Sequence, residues 1–213
     1  MTPHQASLHA REIAGLAPII PVLVVDDVAH ARPLAEALVA GGLPALEVTL
    51  RTPAALDVIR EMAKVPGGVV GAGTLLTPAD VLAAKEAGAK FGVSPGATDK
   101  LLEACEAADL PLLPGVATAS EAMRLLERGY DMLKFFPAEA SGGAAALKAI
   151  GAPIPQVAFC PTGGVSIKNA PDYLGLPNVL CAGGSWVAPK EAVLAGDWSR
   201  IEQLAREAAA LPR

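Results

Sequence analysis

Asp131-Met132-Leu133-Lys134-Phe135-Phe136-Pro137 is a short apolar run with one lysine at its centre. Alternation puts Met132, Lys134 and Phe136 on one face of a strand and Leu133 and Phe135 on the other. With both faces apolar, the strand reads as covered on both sides, and the lysine is buried with it. Burial disfavours the charged form of an amine, apolar neighbours such as Met132 and Phe136 act in the same direction, and a neutral amine attacks carbonyl carbon. The plainer alternative is a strand-end lysine that snorkels to water, and the run alone leaves both readings open.

Strands covered on both faces belong to parallel sheets, whose connections are helices. The rest of the chain repeats that unit. A leading helix over 4–15 precedes a first strand over 18–25 and a helix in which Val28, Leu34, Leu38 and Val39 share a face. A second strand over 43–50 meets Thr52-Pro53, read as an N-cap followed by proline at the first helical position, and a helix to about residue 64. Strands over 68–72, 89–94 and 111–113 follow, with helices opened by Thr77-Pro78, Thr98 and the capping box Thr118-Ala119-Ser120-Glu121. The lysine run is then the sixth strand, with a helix through Ala144, Leu147 and Ile150; strands over 155–160 and 178–182 and a last helix over 199–210 complete the chain. About eight alternating units in 213 residues predict an α/β fold, a (β/α)8 TIM barrel formed by the whole chain, 1–213, as one domain with a short N-terminal helix. A doubly wound open sheet competes, but no G-x-G-x-x-G follows the first strand.

In a barrel the reactive mouth lies at the C-terminal ends of the strands. Lys134 is at such an end, whereas Lys90 opens its strand and falls at the opposite face. In Leu46-Glu47-Val48-Thr49-Leu50-Arg51, alternation sends Glu47, Thr49 and Arg51 inward. Glu47 and Arg51 can be a structural ion pair, or a general acid/base and a bidentate carboxylate clamp; an inward Lys134 favours the second. Gly71-Ala72-Gly73-Thr74 closes the third strand, where Thr74 offers a hydroxyl and an N–H or merely caps a turn. Ser94-Pro95-Gly96 reads as a turn lining the mouth. Thr162-Gly163-Gly164 and Gly183-Gly184-Ser185 follow strands seven and eight, the usual place for a barrel phosphate site built from backbone N–H groups.

Other chemistry finds little support. His4, His9 and His30 show no metal-ligand spacing, and no cofactor motif is present. A net charge of −5 without a Lys/Arg run argues against nucleic acid, and no apolar segment is long enough to span a membrane. Cys105, Cys160 and Cys181 are widely spaced and odd in number, which suggests reduced, buried thiols in a cytoplasmic protein.

Taken with Lys134-Phe135-Phe136-Pro137-Ala138-Glu139 and Cys160-Pro161-Thr162-Gly163-Gly164, these motifs resemble the bacterial 2-keto-3-deoxy-6-phosphogluconate (KDPG) aldolases, a family that includes 4-hydroxy-2-oxoglutarate aldolase activity. The resemblance implies a metal-independent class I aldolase, a homotrimer that splits a phosphorylated keto acid into pyruvate and glyceraldehyde 3-phosphate. It implies Lys134 as the Schiff-base lysine, Glu47 as the proton shuttle, and Arg51 with Thr74 as the carboxylate site. Pro95 and Phe136 would line the site, and the glycine loops with Ser185 would hold phosphate. Asp26, Asp27 and Trp186 receive no role. A phosphate-binding isomerase or epimerase and a non-catalytic phosphometabolite-binding barrel are the competing functions.

Overall fold

Every strand pairing in the chain is parallel. The computed structural model describes residues 1–213. Its strands are β1 (Ile19–Leu23), β2 (Ala45–Thr49), β3 (Val69–Gly73), β4 (Phe91–Val93), β5 (Leu112–Leu113), β6 (Gly115–Val116), β7 (Met132–Phe135), β8 (Ala158–Pro161) and β9 (Ala182–Gly184). The helices are α1 (Pro3–Ala14), α2 (Ala31–Ala40), α3 (Ala55–Met62), α4 (Pro78–Glu86), α5 (Asp99–Ala107), α6 (Ala119–Arg128), α7 (Gly143–Gly151), α8 (Ala170–Leu174), α9 (Lys190–Ala195) and α10 (Trp198–Ala209).

The α/β alternation is as expected, but the strands form two sheets, β5-β4-β3-β2-β1-β9 and β6-β7-β8, and not one continuous eight-stranded ladder. The fifth strand is the reason. Pro114 lacks an N–H and divides it, so Leu112–Leu113 pairs with β4 while Gly115–Val116 pairs with β7. At the other edge the sheets touch through isolated bridges, Phe159 with Val179 and Thr162 with Gly183. The run over 178–182 is shared between the two sheets: Leu180 N–H bonds Phe159 O, whereas the ladder to β1 starts only at Ala182.

Local signals mostly decide the helix starts. Thr77 and Thr118 form reciprocal capping boxes with Asp80 and Glu121, and Thr98 caps α5. Thr52 is a correction. Its hydroxyl donates to Val25 O at 2.8 Å, and α3 starts later, at Ala55, without a side-chain cap. A 3-10 turn over Val28–His30 precedes α2, and the short α8 and α9 were not anticipated because neither spans two full turns.

Alternation sorts the core into two layers. Leu46, Val48, Leu133 and Phe135 face the helices within one large cluster, while Ala45, Phe91, Val93, Leu113, Met132 and Cys160 fill a smaller one inside the sheets. Ala10 and Ala14 of α1 join the inner cluster and close it at the strands' N-terminal end. All three cysteines are free and buried, and burial pushes the Cys105 thiol up to about 12, far from reactive thiolate.

The same helix anchors the lysine strand. Arg11 Nε donates to Asp131 Oδ1 at 2.9 Å, and Ser7 Oγ donates to that oxygen at 2.6 Å while accepting the Asp131 and Met132 N–H groups. Burial pushes the Asp131 carboxyl up, but the bonds from Arg11 and Ser7 outweigh it and hold the group below its usual value. A lowered native value stabilises above the unfolded value near ~3.9 and is lost as pH falls through the native one. Asp131→Ala is therefore expected to cost about 1–3 kcal/mol at pH 7, with the difference from the parent shrinking below about pH 4, as read from urea midpoints across pH. An equal difference at pH 7 and pH 3 contradicts the charge-dependent anchor.

Candidate active site

Above the apolar inner layer the same inward positions turn polar. Glu47 stands two residues after Ala45 on β2, and Lys134 two after Met132 on β7; both are buried, at 3% and 5% exposure. Lys134 Nζ donates to Glu47 Oε1 at 3.5 Å. An amine and a carboxylate thus meet out of bulk water, each with one charged partner. Arg51 makes no ion pair with Glu47; β2 ends at Thr49, and the guanidinium stands exposed beyond it.

Room for this pair comes from β3. Gly71 and Gly73 share its inner face, and a Cβ on Gly71 would fall 2.4 Å from the Phe91 ring. A Cβ on Gly73 would fall 2.3 Å from Glu47 Oε1. The bare face of this strand is what lets the carboxylate lie across the interior. Thr74, the next residue, has φ 62°, a left-handed conformation that a β-branched side chain adopts at a cost of about 1–3 kcal/mol. The strain sits where the strand opens into the site.

A cavity of about 470 Å³ collects these groups. Its wall includes Glu47, Arg51, Thr74, Pro95, Lys134, Phe136, Thr162, Gly163, Gly164, Gly183 and Ser185, nearly every residue singled out from sequence. Gly184 is the exception, since a Cβ there would strike the Trp186 ring at 1.9 Å rather than enter the cavity. That contact also gives Trp186 a packing place beside β9. Phe136 turns its ring toward the lysine, with 5.1 Å from Nζ to the centroid. It is thus a partner for a cation and not only the apolar neighbour expected, whereas Met132 lies below in the inner cluster.

Val22, Val24, Thr49 and Val165 also line the cavity and were not anticipated as site residues. Val22 and Val24 were hidden in a run read as uniformly buried, although their period of two placed them on one face. The Thr49 hydroxyl donates to Leu23 O at 2.9 Å, which commits it to the scaffold. Gly163 and Gly164, at φ 98° and 80°, shape the loop after β8. No cluster of three or more His, Cys, Asp or Glu side chains stands where it could hold a metal ion, and no helix is long and apolar enough to cross a membrane.

Comparison with known proteins agrees along almost the entire chain. A family described as "KDPG and KHG aldolase" matches residues 11–204. The 2-dehydro-3-deoxy-phosphogluconate aldolase of Pseudoalteromonas atlantica is 54% identical over 202 residues, 94% of each chain. The KHG/KDPG aldolase of Escherichia coli K12 is 54% identical over 200 residues, 93% of this chain and 94% of its own. The crystal structure of a KDPG aldolase from Legionella pneumophila, with pyruvate captured as a covalent carbinolamine intermediate, superposes with a TM-score of 0.91 at 47% identity, over 94% of this chain and 98% of that one. On the family match and on relatives of this identity and coverage, the chain belongs to the KDPG and KHG aldolase family.

Proposed function

We propose that this protein is a class I aldolase that cleaves 2-keto-3-deoxy-6-phosphogluconate to pyruvate and glyceraldehyde 3-phosphate, and takes 4-hydroxy-2-oxoglutarate to pyruvate and glyoxylate by the same steps. The observation that carries the reading is the buried Lys134–Glu47 pair at the floor of the cavity. The aldolase relatives and the covalent pyruvate adduct in the Legionella enzyme support it. The isomerase and the non-catalytic barrel have no such support. We also propose that the two sheets form one (β/α)8 barrel domain over 1–213, closed across Pro114 and the β8–β9 bridges, and that the protein works as a cytoplasmic homotrimer.

The proposed chemistry follows from reach. Lys134 passes one ammonium proton to Glu47, whose Oε1 is 3.5 Å from Nζ, and the freed amine attacks C2 of the keto acid. A second proton on nitrogen passes to the alkoxide oxygen to give the carbinolamine, Glu47 returns the first to its hydroxyl, water leaves, and an iminium remains. Glu47 then takes the proton of the C4 hydroxyl. The C3–C4 electrons move into the iminium, releasing the aldehyde and leaving an enamine. Protonation at C3 and hydrolysis free pyruvate and the lysine, consuming the water released earlier. The Phe136 face, placed 5.1 Å from Nζ, attracts the iminium cation. Arg51 and Thr74 hold the carboxylate next to C2, which supplies orientation. The Gly163-Gly164 and Gly183-Ser185 backbones receive the phosphate.

In this scheme the iminium is the electron sink. Pyruvate release from the phosphorylated keto acid, followed by coupling to lactate dehydrogenase, is expected at a rate that a chelator leaves unchanged. No pyruvate, or a rate lost to chelation and restored by a metal salt, overturns the reading.

A further inference from the structure

Glu139, at the end of the Lys134–Glu139 motif, has no part in the scheme above, yet it lies against the proposed phosphate loop. Its backbone N–H donates to Gly163 O at 3.0 Å, one step beyond the Ala138 N–H bond to Thr162 O at 2.8 Å. Its side chain lies over Gly164, where a Cβ would fall 2.6 Å from Glu139 Cγ and 2.7 Å from its Cβ. Its carboxylate accepts a hydrogen bond from the Tyr173 hydroxyl on α8. Tyr173 is buried, and burial first, then Glu139, push its phenol well above the ordinary value, so it remains a donor. From the far side, Asn169 Nδ2 donates to Gly164 O at 3.1 Å, and Asn169 Oδ1 accepts from Ser166 N at 2.7 Å.

We infer that Glu139, held by Tyr173, is a positioning residue that sets the Gly163-Gly164 loop in its anion-receiving shape and thereby sets the preference for phosphorylated over unphosphorylated keto acids. Two successive glycines at positive φ are free to rotate, and their N–H groups face one anion only if something fixes the loop. The Glu139 side chain packed on Gly164 supplies that restraint, and the tyrosine stops it from swinging into solvent. Neither residue touches the Lys134–Glu47 pair, so the effect falls on phosphate recognition and not on bond cleavage.

The inference rests on the aldolase reading, and the test separates the two. Tyr173→Phe removes only the hydroxyl; Glu139 is exposed at the surface, so water replaces the lost bond and the variant folds. KM for 2-keto-3-deoxy-6-phosphogluconate is expected to rise on the order of tenfold, as for loss of one charge-assisted hydrogen bond, with kcat little changed. Cleavage of 4-hydroxy-2-oxoglutarate is expected to stay at the parent rate. Glu139→Ala should repeat this selective loss and Glu139→Gln, which keeps an acceptor for Tyr173, should largely restore the parent KM. Parallel losses on both substrates, or no change on the phosphorylated one, overturn the positioning role. Failure of the parent protein to cleave either substrate overturns the aldolase reading itself.

Discussion

Lys134→Arg is expected to fold and to lose cleavage, with kcat/KM lower by at least about 10⁴-fold, the scale on which removal of a covalent nucleophile acts. Arginine is the informative replacement because it retains the charge. Truncating the lysine leaves Glu47, only 3% exposed, without its partner, and breaking a buried pair costs about 3–5 kcal/mol. Lost activity could then be mistaken for lost structure. A guanidinium still pairs with the carboxylate, and the adjoining cavity of about 470 Å³ has space for it, but it remains protonated and forms no Schiff base. The thermal midpoint should therefore stay within a few degrees of the parent while turnover disappears. Retention of even about a tenth of the parent rate removes Lys134 from the covalent step.

Glu47→Gln is expected to lower kcat by about 10²–10⁴-fold, the usual contribution of a positioned acid/base, while pyruvate still binds. The amide keeps the shape of the side chain and its place across Gly73, so a defect reports on proton transfer rather than packing. Gly73→Ala tests the same group from outside. The new Cβ would meet Glu47 Oε1 at 2.3 Å and Cγ at 2.7 Å, so the carboxylate must leave its position beside Lys134. A fall in kcat in the same direction, with the fold intact, is the expected result. Unchanged turnover in Glu47→Gln takes the residue out of the mechanism, and in Gly73→Ala it shows that the carboxylate works from elsewhere.

The buried Lys134–Glu47 pair was legible in the sequence because a parallel sheet covered on both faces leaves little reason for a charge inside a strand. Alternation then placed Glu47, Thr49 and Lys134 on the inner face, where the structure has them. Arg51 was less well served. The two-residue period that aimed it inward stops with β2 at Thr49, and its position at the cavity mouth follows from the turn after the strand. Gly184 shows the limit of reading a diglycine as one unit, since successive residues face opposite sides and its space is taken by Trp186. Pro114 was visible as a strand end, but its role in passing the chain between two sheets depends on β7, which pairs there from later in the sequence. Thr52 shows what a local signal omits: its hydroxyl donates to the Val25 carbonyl of a neighbouring strand connection, and the helix starts three residues later without a side-chain cap. The hold of Glu139 and Tyr173 on Gly164 joins residues from three loops and helices, a juxtaposition no spacing rule encodes.

Covalent capture of pyruvate tests the central claim most directly. The protein is incubated with pyruvate, reduced with borohydride and digested, and the added mass is located by peptide mapping. The account predicts one adduct, on Lys134, absent from Lys134→Arg; an adduct on another lysine, or an unmodified Lys134 under conditions where pyruvate binds, contradicts it.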